Sequence, residues 1–440
     1  MSGTDLIGPL PASWSVKPLR LIGRLLKGTG GSKEDAVEEG VPCVRYGELY
    51  MTHKNFIERA RTCITRERAT DYTPIEYGDV LFAASGETIE EIGKSAVNLL
   101  HGARCGGDVV ILRPTEPFIA RFLGYATDAA PVAAQKSLAG RGSTVKHIYP
   151  DELREVVIAV PPVDEQQAIA DFLDRETARL DALVDTKQRL LDLVAEKRKA
   201  IIATAVTRGL DPKVKLRDSD VPWLGEIPPH WDLTRLKFHL NGITQGWSPQ
   251  CEALPSGPDE WGVLKAGCVN GDTFNAEENK RLPDHETPLP EIEVHPRDVV
   301  MSRANTTELV GSAAIAPADL RPRLLLSDKL YRLEVKADEL MPEFLVHFLR
   351  TASGRFDFER RASGASNSMQ NISQEVVQNL WLPVPPMKEQ HAIVEHIARE
   401  AAKLDAVRAA TERTTALLKE RRAALIAAAV TGQLDVGAAA

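Results

Sequence analysis

One stretch of this chain is written twice. PPVDEQQAIADFLDRETARLDALVDTKQRLLDLVAEKRKAIIATAVTRGLD, from Pro161 to Asp211, returns from Pro385 to Asp435 as PPMKEQHAIVEHIAREAAKLDAVRAATERTTALLKERRAALIAAAVTGQLD, at a constant offset of 224 and with no gap. Glu165/Glu389, Gln166/Gln390, Ile169/Ile393, Leu180/Leu404, Asp181/Asp405, Glu196/Glu420 and Asp211/Asp435 are identical pairs. Any fold for the chain has to use one element twice.

The period of each copy is helical. Leu173, Leu180, Val194 and Ile201 recur every seven residues with Lys187 interrupting, and Leu183, Val184, Leu190 and Leu191 widen the seam. The second copy repeats this as Ile397, Leu404, Thr411, Leu418 and Leu425, a heptad pattern that predicts helix pairing through these ten positions. Each copy starts just after a Pro-Pro and holds no Pro or Gly until its end, so each predicts one helix of roughly 40 residues, about 60 Å long. The polar interruptions Lys187 and Thr411 lie near the helix midpoints. An antiparallel pair aligned at its midpoints, or a parallel pair in full register, places them in one layer; periodicity alone allows both.

A looser duplication precedes each helix. Pro11-Ala-Ser-Trp14 with Leu19-Arg20 corresponds to Pro228-Pro-His-Trp231 with Leu236-Lys237, Val44-Arg45-x-Gly47 to Leu264-Lys265-x-Gly267, and Phe122-Leu123 to Phe348-Leu349. Short β-like runs, Val80 to Ala83, 108–112, 298–301 and Leu330 to Val335, alternate with turn residues, and one short helix is expected in each half, over 116–126 and 341–351. The expectation is an α+β chain of two similar globular domains with two long coiled-coil helices. The boundaries are 1–163 and 228–387 for the domains, 164–211 and 388–432 for the helices, 212–227 for a linker and 433–440 for a tail.

Composition narrows the function. At 440 residues, 43% apolar and 26% charged, the chain is ordinary for a multidomain globular protein. It has no apolar run long enough to span a membrane and no leader pattern at Met1 to Leu10, which predicts a cytoplasmic location. Five cysteines without a CxxC pair give neither a disulfide framework nor a zinc site. The net charge of −8 is unusual for a DNA binder acting alone, so any phosphate contact must come from local patches or from a partner.

Catalytic motifs are absent. Gly28-Thr-Gly-Gly-Ser-Lys33 lacks the GK[ST] ending of a phosphate loop. The Pro-Pro pairs follow Val160, Ile227 and Val384 rather than Asn or Asp, so they are not amino-methyltransferase motifs. Asp319 or Asp328 with Glu334-Val335-Lys336 imitates a metal nuclease only loosely, and Leu112-Arg113-Pro114 in the first half carries nothing comparable. The histidines show no metal spacing. No catalytic and no metal-binding residue is assigned.

Binding chemistry remains. Lys136-Ser-Leu-Ala-Gly-Arg141-Gly-Ser-Thr-Val-Lys146 in the first half corresponds to Arg360-Arg361 leading into Ser363 to Asn371 with Asn367, Lys136 pairing with Arg360. Cations beside small hydroxyl and amide side chains suit phosphate contact with nearby base-edge hydrogen bonds. Arg303 and Asn305 add the two side chains that read guanine and adenine bidentately. Together with Lys33, Arg45 and Lys265, these form the candidate DNA-binding set.

The order of unit, helix, unit, helix, with WLGEIPPHW at Trp223 to Trp231 and the twice-used PPxxEQxAI, resembles the specificity subunits of type I restriction-modification systems over essentially the whole chain. The resemblance implies two target-recognition domains reading the halves of a split double-stranded DNA sequence, held apart by two antiparallel helices. It also implies docking to two methyltransferase subunits and to restriction/translocase subunits, for which Glu165, Gln166, Glu389 and Gln390 and the basic residues Lys197, Arg198, Arg421 and Arg422 are the expected faces. No cofactor is expected in this chain; S-adenosylmethionine, ATP and Mg would belong to the partners. The rival expectations are a stand-alone nuclease or DNA methyltransferase, or a coiled-coil scaffold that binds no DNA.

Overall fold

The two duplicated stretches are single helices. Their apolar heptads and the absence of internal breakers carry the first from Val163 to Arg208 and the second from Met387 to Val430. The structure, a computed structural model, describes residues 3–86, 88, 91–140, 146–366 and 369–436. It divides into two units, and the division cuts both helices near their middles. Unit 1 holds 1–189 and 411–440, and unit 2 holds 190–410.

In unit 1 the main sheet has strands β1 (Gly23–Lys27), β2 (Val80–Ala83), β3 (Ser95–Asn98) and β4 (Val109–Pro114), antiparallel in the order β1-β4-β2-β3. Their apolar runs leave β2, β3 and most of β4 wholly buried, as central strands covered on both faces require. A second sheet centres on Val41–Val44, with Thr62–Ile64 antiparallel on one side and Arg104–Cys105 parallel on the other. Helices α1 (Ala120–Asp128) and α2 (Ala130–Ala139) follow β4, and α3 (Val163–Arg208) follows the strand Val157–Val160, which pairs with Ser15–Pro18.

Unit 2 repeats the plan. Strands β5 (Leu240–Gln245), β6 (Val299–Ser302), β7 (Ala313–Ile315) and β8 (Leu330–Val335) take the equivalent order β5-β8-β6-β7. Gly262–Leu264 lies between Asn279–Arg281, antiparallel, and Leu324–Leu325, parallel. Helices α4 (Pro342–Leu349) and α5 (Ala352–Arg361) precede α6 (Met387–Val430). The mixed α+β class and the duplicated plan stand as expected, while α2 and α5 escaped the sequence reading.

Within each unit the segments of α3 and α6 run antiparallel. In unit 1, Ile169, Phe172 and Leu173 share a core with Ile426, Ala429 and Val430, and Arg422 Nε meets Asp181 Oδ2 at 3.2 Å. In unit 2, Ala205 and Val206 share a core with Ile393 and Ile397, and Arg198 meets Asp405 at 2.7 Å. These two bridges occupy equivalent positions, so Arg198 and Arg422 take part in helix pairing.

The seam is only partly the expected one. Leu173, Leu180, Val194, Ile397 and Thr411 are buried, and Lys187, Ile201, Leu404, Leu418 and Leu425 half-buried. Leu183, expected in the seam, is 43% exposed. The start of the expected tail is also fixed, for Val436 is buried against the core containing Phe172. No helix among the described residues is long and apolar enough to cross a membrane.

Candidate DNA interface and helix anchors

The four residues expected to dock partners prove to be anchors inside each unit. Gln166 and Gln390 are buried, at 1% and 0% exposure. The Gln166 carboxamide accepts from the Ile119 backbone N–H at 3.1 Å and donates to the Pro161 carbonyl at 3.0 Å. Gln390 accepts from the Met341 N–H at 2.8 Å and donates to the carbonyls of Glu339 and Pro385 at 3.0 and 2.9 Å. Ile119 and Met341 immediately precede α1 and α4, so each glutamine ties the first turn of a long helix to the start of a short one. A buried amide with both ends bonded satisfies two backbone groups in unit 1 and three in unit 2.

Glu165 and Glu389 complete the anchors. Glu165 accepts from the Trp14 indole at 2.7 Å, and Glu389 meets His230 Nε2 at 2.8 Å. In unit 2 the equivalent indole, on Trp231, is buried with its N–H unbonded. The repeated EQ is therefore a structural signature, which residue type alone did not disclose because Ile119, Trp14, Met341, Glu339 and His230 lie over 45 residues away in sequence.

The anchors also correct the alignment of the two halves. Equating Ile119 with Met341 sets α1 against α4, and α2 against α5, at an offset of 222. Lys136 then corresponds to Phe358, not to Arg360, and Phe122 to Phe344. Lys136 is 1% exposed and cannot reach DNA. Its ammonium donates to the Thr127 carbonyl at 2.8 Å and the Ser95 hydroxyl at 3.3 Å, and lies 3.6 Å from Asp128. Burial pushes its pKa down to about 8, with Asp128 opposing the shift.

The remaining candidates divide by unit. In unit 2, Ala304–Asn305 pairs with Met369–Asn371, which pairs with Ser363–Ser366. This small sheet gathers Arg303, Asn305 and the exposed Arg360 and Arg361 at the end of α5, patches that the sequence presented separately. Asn367 lies outside the described residues. Arg303 is half-buried and donates to the Asp328 carbonyl at 3.1 Å, and the Asn305 amide donates to Asn270 at 2.8 Å. Lys265 stands apart, paired with Glu278 at 2.9 Å.

In unit 1 the equivalent pair is Ser85–Gly86 with Lys146–His147. Arg141 and the side chains of Lys33 and Lys146 lie outside the described residues. Arg45 is half-buried, donating to the Ser32 carbonyl at 2.7 Å. The strand pair carries a group that the sequence reading passed over: the Ser85 hydroxyl at 2.9 Å from His147 Nδ1, and the half-exposed Tyr149 ring stacked beside His147 at 6.2 Å. Aromatic rings and hydroxyls next to a short strand pair were the available signal.

Comparison with known proteins gives this architecture its class. The family model for the type I restriction modification DNA specificity domain matches residues 31–192 and 294–406. The chain belongs to that family, and it is accordingly a specificity subunit of a type I restriction-modification system with DNA-recognition domains. It is 24% identical to the Escherichia coli K12 type I restriction enzyme EcoKI specificity subunit, over 97% of this chain and 90% of that subunit. It is 29% identical to the Escherichia coli EcoEI specificity subunit over 47% of this chain and 35% of that one. A solved structure from work on complex assembly and conformational transition of the type I R-M system is 20% identical, with a TM-score of 0.65, covering 97% of this chain and 100% of that one, and shares the fold.

Proposed function

We propose that each unit reads one half of a bipartite double-stranded DNA sequence through its small sheet, and that the lengths of α3 and α6 set the gap between the halves. The observation that carries this reading is the duplication itself: the same sheet order and anchor in both units, with different side chains on the equivalent strand pairs, Ser85 and His147 in one and Asn305 and Gln370 in the other. Two similar scaffolds with unlike polar surfaces suit two unlike half-sites. Half-sites are expected about one helical turn, roughly 34 Å, apart.

The chemistry belongs to partners in this proposal. Two methyltransferase subunits supply S-adenosylmethionine-dependent modification and close around a duplex that this chain, at −8, grips weakly alone. Restriction/translocase subunits supply ATP- and Mg-dependent translocation and cleavage. All act in the cytoplasm.

Matched heptad insertions in α3 and α6 test the spacing role. Selection of bound sequences from random DNA, with methyltransferase subunits present, should return the same two half-sites with a longer gap. An unchanged gap would sink the role of the helices as a spacer.

A further inference from the structure

The two small strand pairs superpose residue by residue. The Ile148 N–H donates to the Ala84 carbonyl at 3.0 Å, the Ile372 N–H donates to the Arg303 carbonyl at 3.0 Å, and both isoleucines are buried. On one side of them the register partners are Ser85 with His147 in unit 1 and Ala304 with Asn371 in unit 2. On the other side Tyr149 precedes the short helix Pro150–Arg154 as Ser373 precedes Gln374–Gln378. His147 and Asn371 therefore hold one position of the shared plan, at the offset of 224 that relates the long helices.

Side chains alternate along a strand. Ile148 joins the core of Ile92 and Leu153, and Ile372 the core of Tyr331 and Phe358, so His147 and Asn371 turn away from those cores. Both are half-buried. The His147 ring is held on two sides, by the Ser85 hydroxyl at 2.9 Å from Nδ1 and by the Tyr149 ring stacked beside it. Among the described residues nothing bonds the His147 Nε2 or the Asn371 carboxamide, and both open to solvent. The neighbouring Arg303 and Asn305 are already engaged, with the Asp328 carbonyl and with Asn270.

The two side chains can read different things. A neutral imidazole carries one N–H, and the bond made by one nitrogen fixes the role of the other. With the Ser85 hydroxyl donating to Nδ1, Nε2 carries the proton and is a donor. In the major groove both purines present N7 as an acceptor, whereas cytosine offers an amino donor and thymine sets its methyl group next to O4. An Nε2–H donor therefore takes adenine and guanine alike. A carboxamide carries one donor and one acceptor group side by side, which match N7 and N6 of adenine together.

We propose that this one position reads a base in each half-site: His147, oriented by Ser85, takes either purine through Nε2, and Asn371 takes adenine through its carboxamide. Ser85 is a positioning residue that acts through His147. The inference rests on the strand pairs being the DNA-reading surface, and adds the residue in each unit, the base it takes and an asymmetry. One half-site carries a position shared by adenine and guanine, and the other carries an invariant adenine. What holds the fold is the same in both units, Gln166 with Gln390 and Ile148 with Ile372, while the side chain with a free hydrogen-bonding end differs on the same frame.

Selection of bound sequences from random DNA by the full chain, co-purified with methyltransferase subunits, tests it. His147→Asn should narrow the shared purine position to adenine and leave the other half-site as it was. Ala304→Ser/Asn371→His should do the reverse, widening the invariant adenine to either purine. Ser85→Ala should cost about tenfold in affinity and remove the purine preference at that position, and Ser85→Thr should restore both. If either exchange lowers Tm, Asn371→Asp keeps the side-chain shape and should move the preference from adenine to cytosine, whose amino group a carboxylate accepts. Variants that fold as the unaltered chain does and select its sequences unchanged overturn the assignment, as does a single exchange that alters both half-sites. An unaltered chain that selects no split sequence sinks the reading of the strand pairs beneath it.

Discussion

Units 1 and 2 share a strand order and an anchor but fill the space beneath their second short helix with opposite chemistry. In unit 2 the Phe358 ring is fully buried under α5, against Gly311 at φ +81. In unit 1 the same place under α2 holds Lys136, its stem against Gly93 at φ +67 and its ammonium 5.5 Å from the Phe82 ring. Each glycine takes a backbone conformation that other residues resist, and a Cβ there would press on the side chain above it.

The neighbouring position inverts as well. Asp128 in unit 1 accepts from the Ser95 N–H at 3.3 Å and pairs with Lys94 and Lys136. Arg350, its equivalent, donates to the carbonyls of Ala313 and Gly271 at 2.9 and 3.0 Å. One scaffold thus tolerates a buried cation where an anion stands beside it, and a buried ring where it does not. The backbone plan depends on the shape of that space more than on its charge.

The largest expected effect is the exchange that breaks this comparison. Phe358→Lys places a buried ammonium next to Arg350 with no carboxylate in the position of Asp128. Loss of roughly 4 kcal/mol or more is expected, seen as collapse of hydrogen-exchange protection across β6, β7 and α5 while β2 and β3 keep theirs. Equal loss in both units would show that they do not hold their stability separately.

Next come the anchors. Gln390→Ala and Gln166→Ala each leave buried backbone groups unbonded, for about 3 kcal/mol, Gln390 costing more because it makes three bonds to the two of Gln166. Urea unfolding followed by hydrogen exchange in each unit checks the order.

Lys136→Met should be far milder, neutral or stabilising by about 1 kcal/mol at pH 7. Its signature is pH dependence. The folded pKa, about 8, lies below the unfolded value, so between about pH 8 and 10.5 the unfolded chain holds the extra proton and stability rises with pH. The variant should lack that rise. If melting curves across this window match those of the unaltered chain, Lys136 does not carry the buried charge assigned to it.

The smallest effect is at the exposed end of α5. Arg360→Ala should leave Tm unchanged and lower the salt dependence of DNA binding by about one unit of slope, with the sequence preference kept. A changed preference would make Arg360 a base reader rather than a phosphate contact.

Much of the fold was legible because the helices are long and the repeat is ungapped. Proline, glycine and heptad leucines act locally, so Val163–Arg208 and Met387–Val430 fell close to the expected 164–211 and 388–432. The site was less legible. Arg303, Asn305 and Arg361 were found as separate patches, and pairing between Ala304–Asn305 and Met369–Asn371, over sixty residues apart, brought them together.

The sequence by itself determined the period, the duplication and the family, each a property of residue order along one element or of two stretches compared. Tertiary structure alone decided which polar residues face water. Lys136 and Arg360 are both cations near the end of a short helix, yet one is sealed beneath Gly93 and the other is free in solvent; Gln166 and Glu165 look like an exposed helix start and are spent on Ile119 and Trp14. Burial and hydrogen-bond partnership depend on what distant segments bring to a side chain, and local pattern holds no record of that.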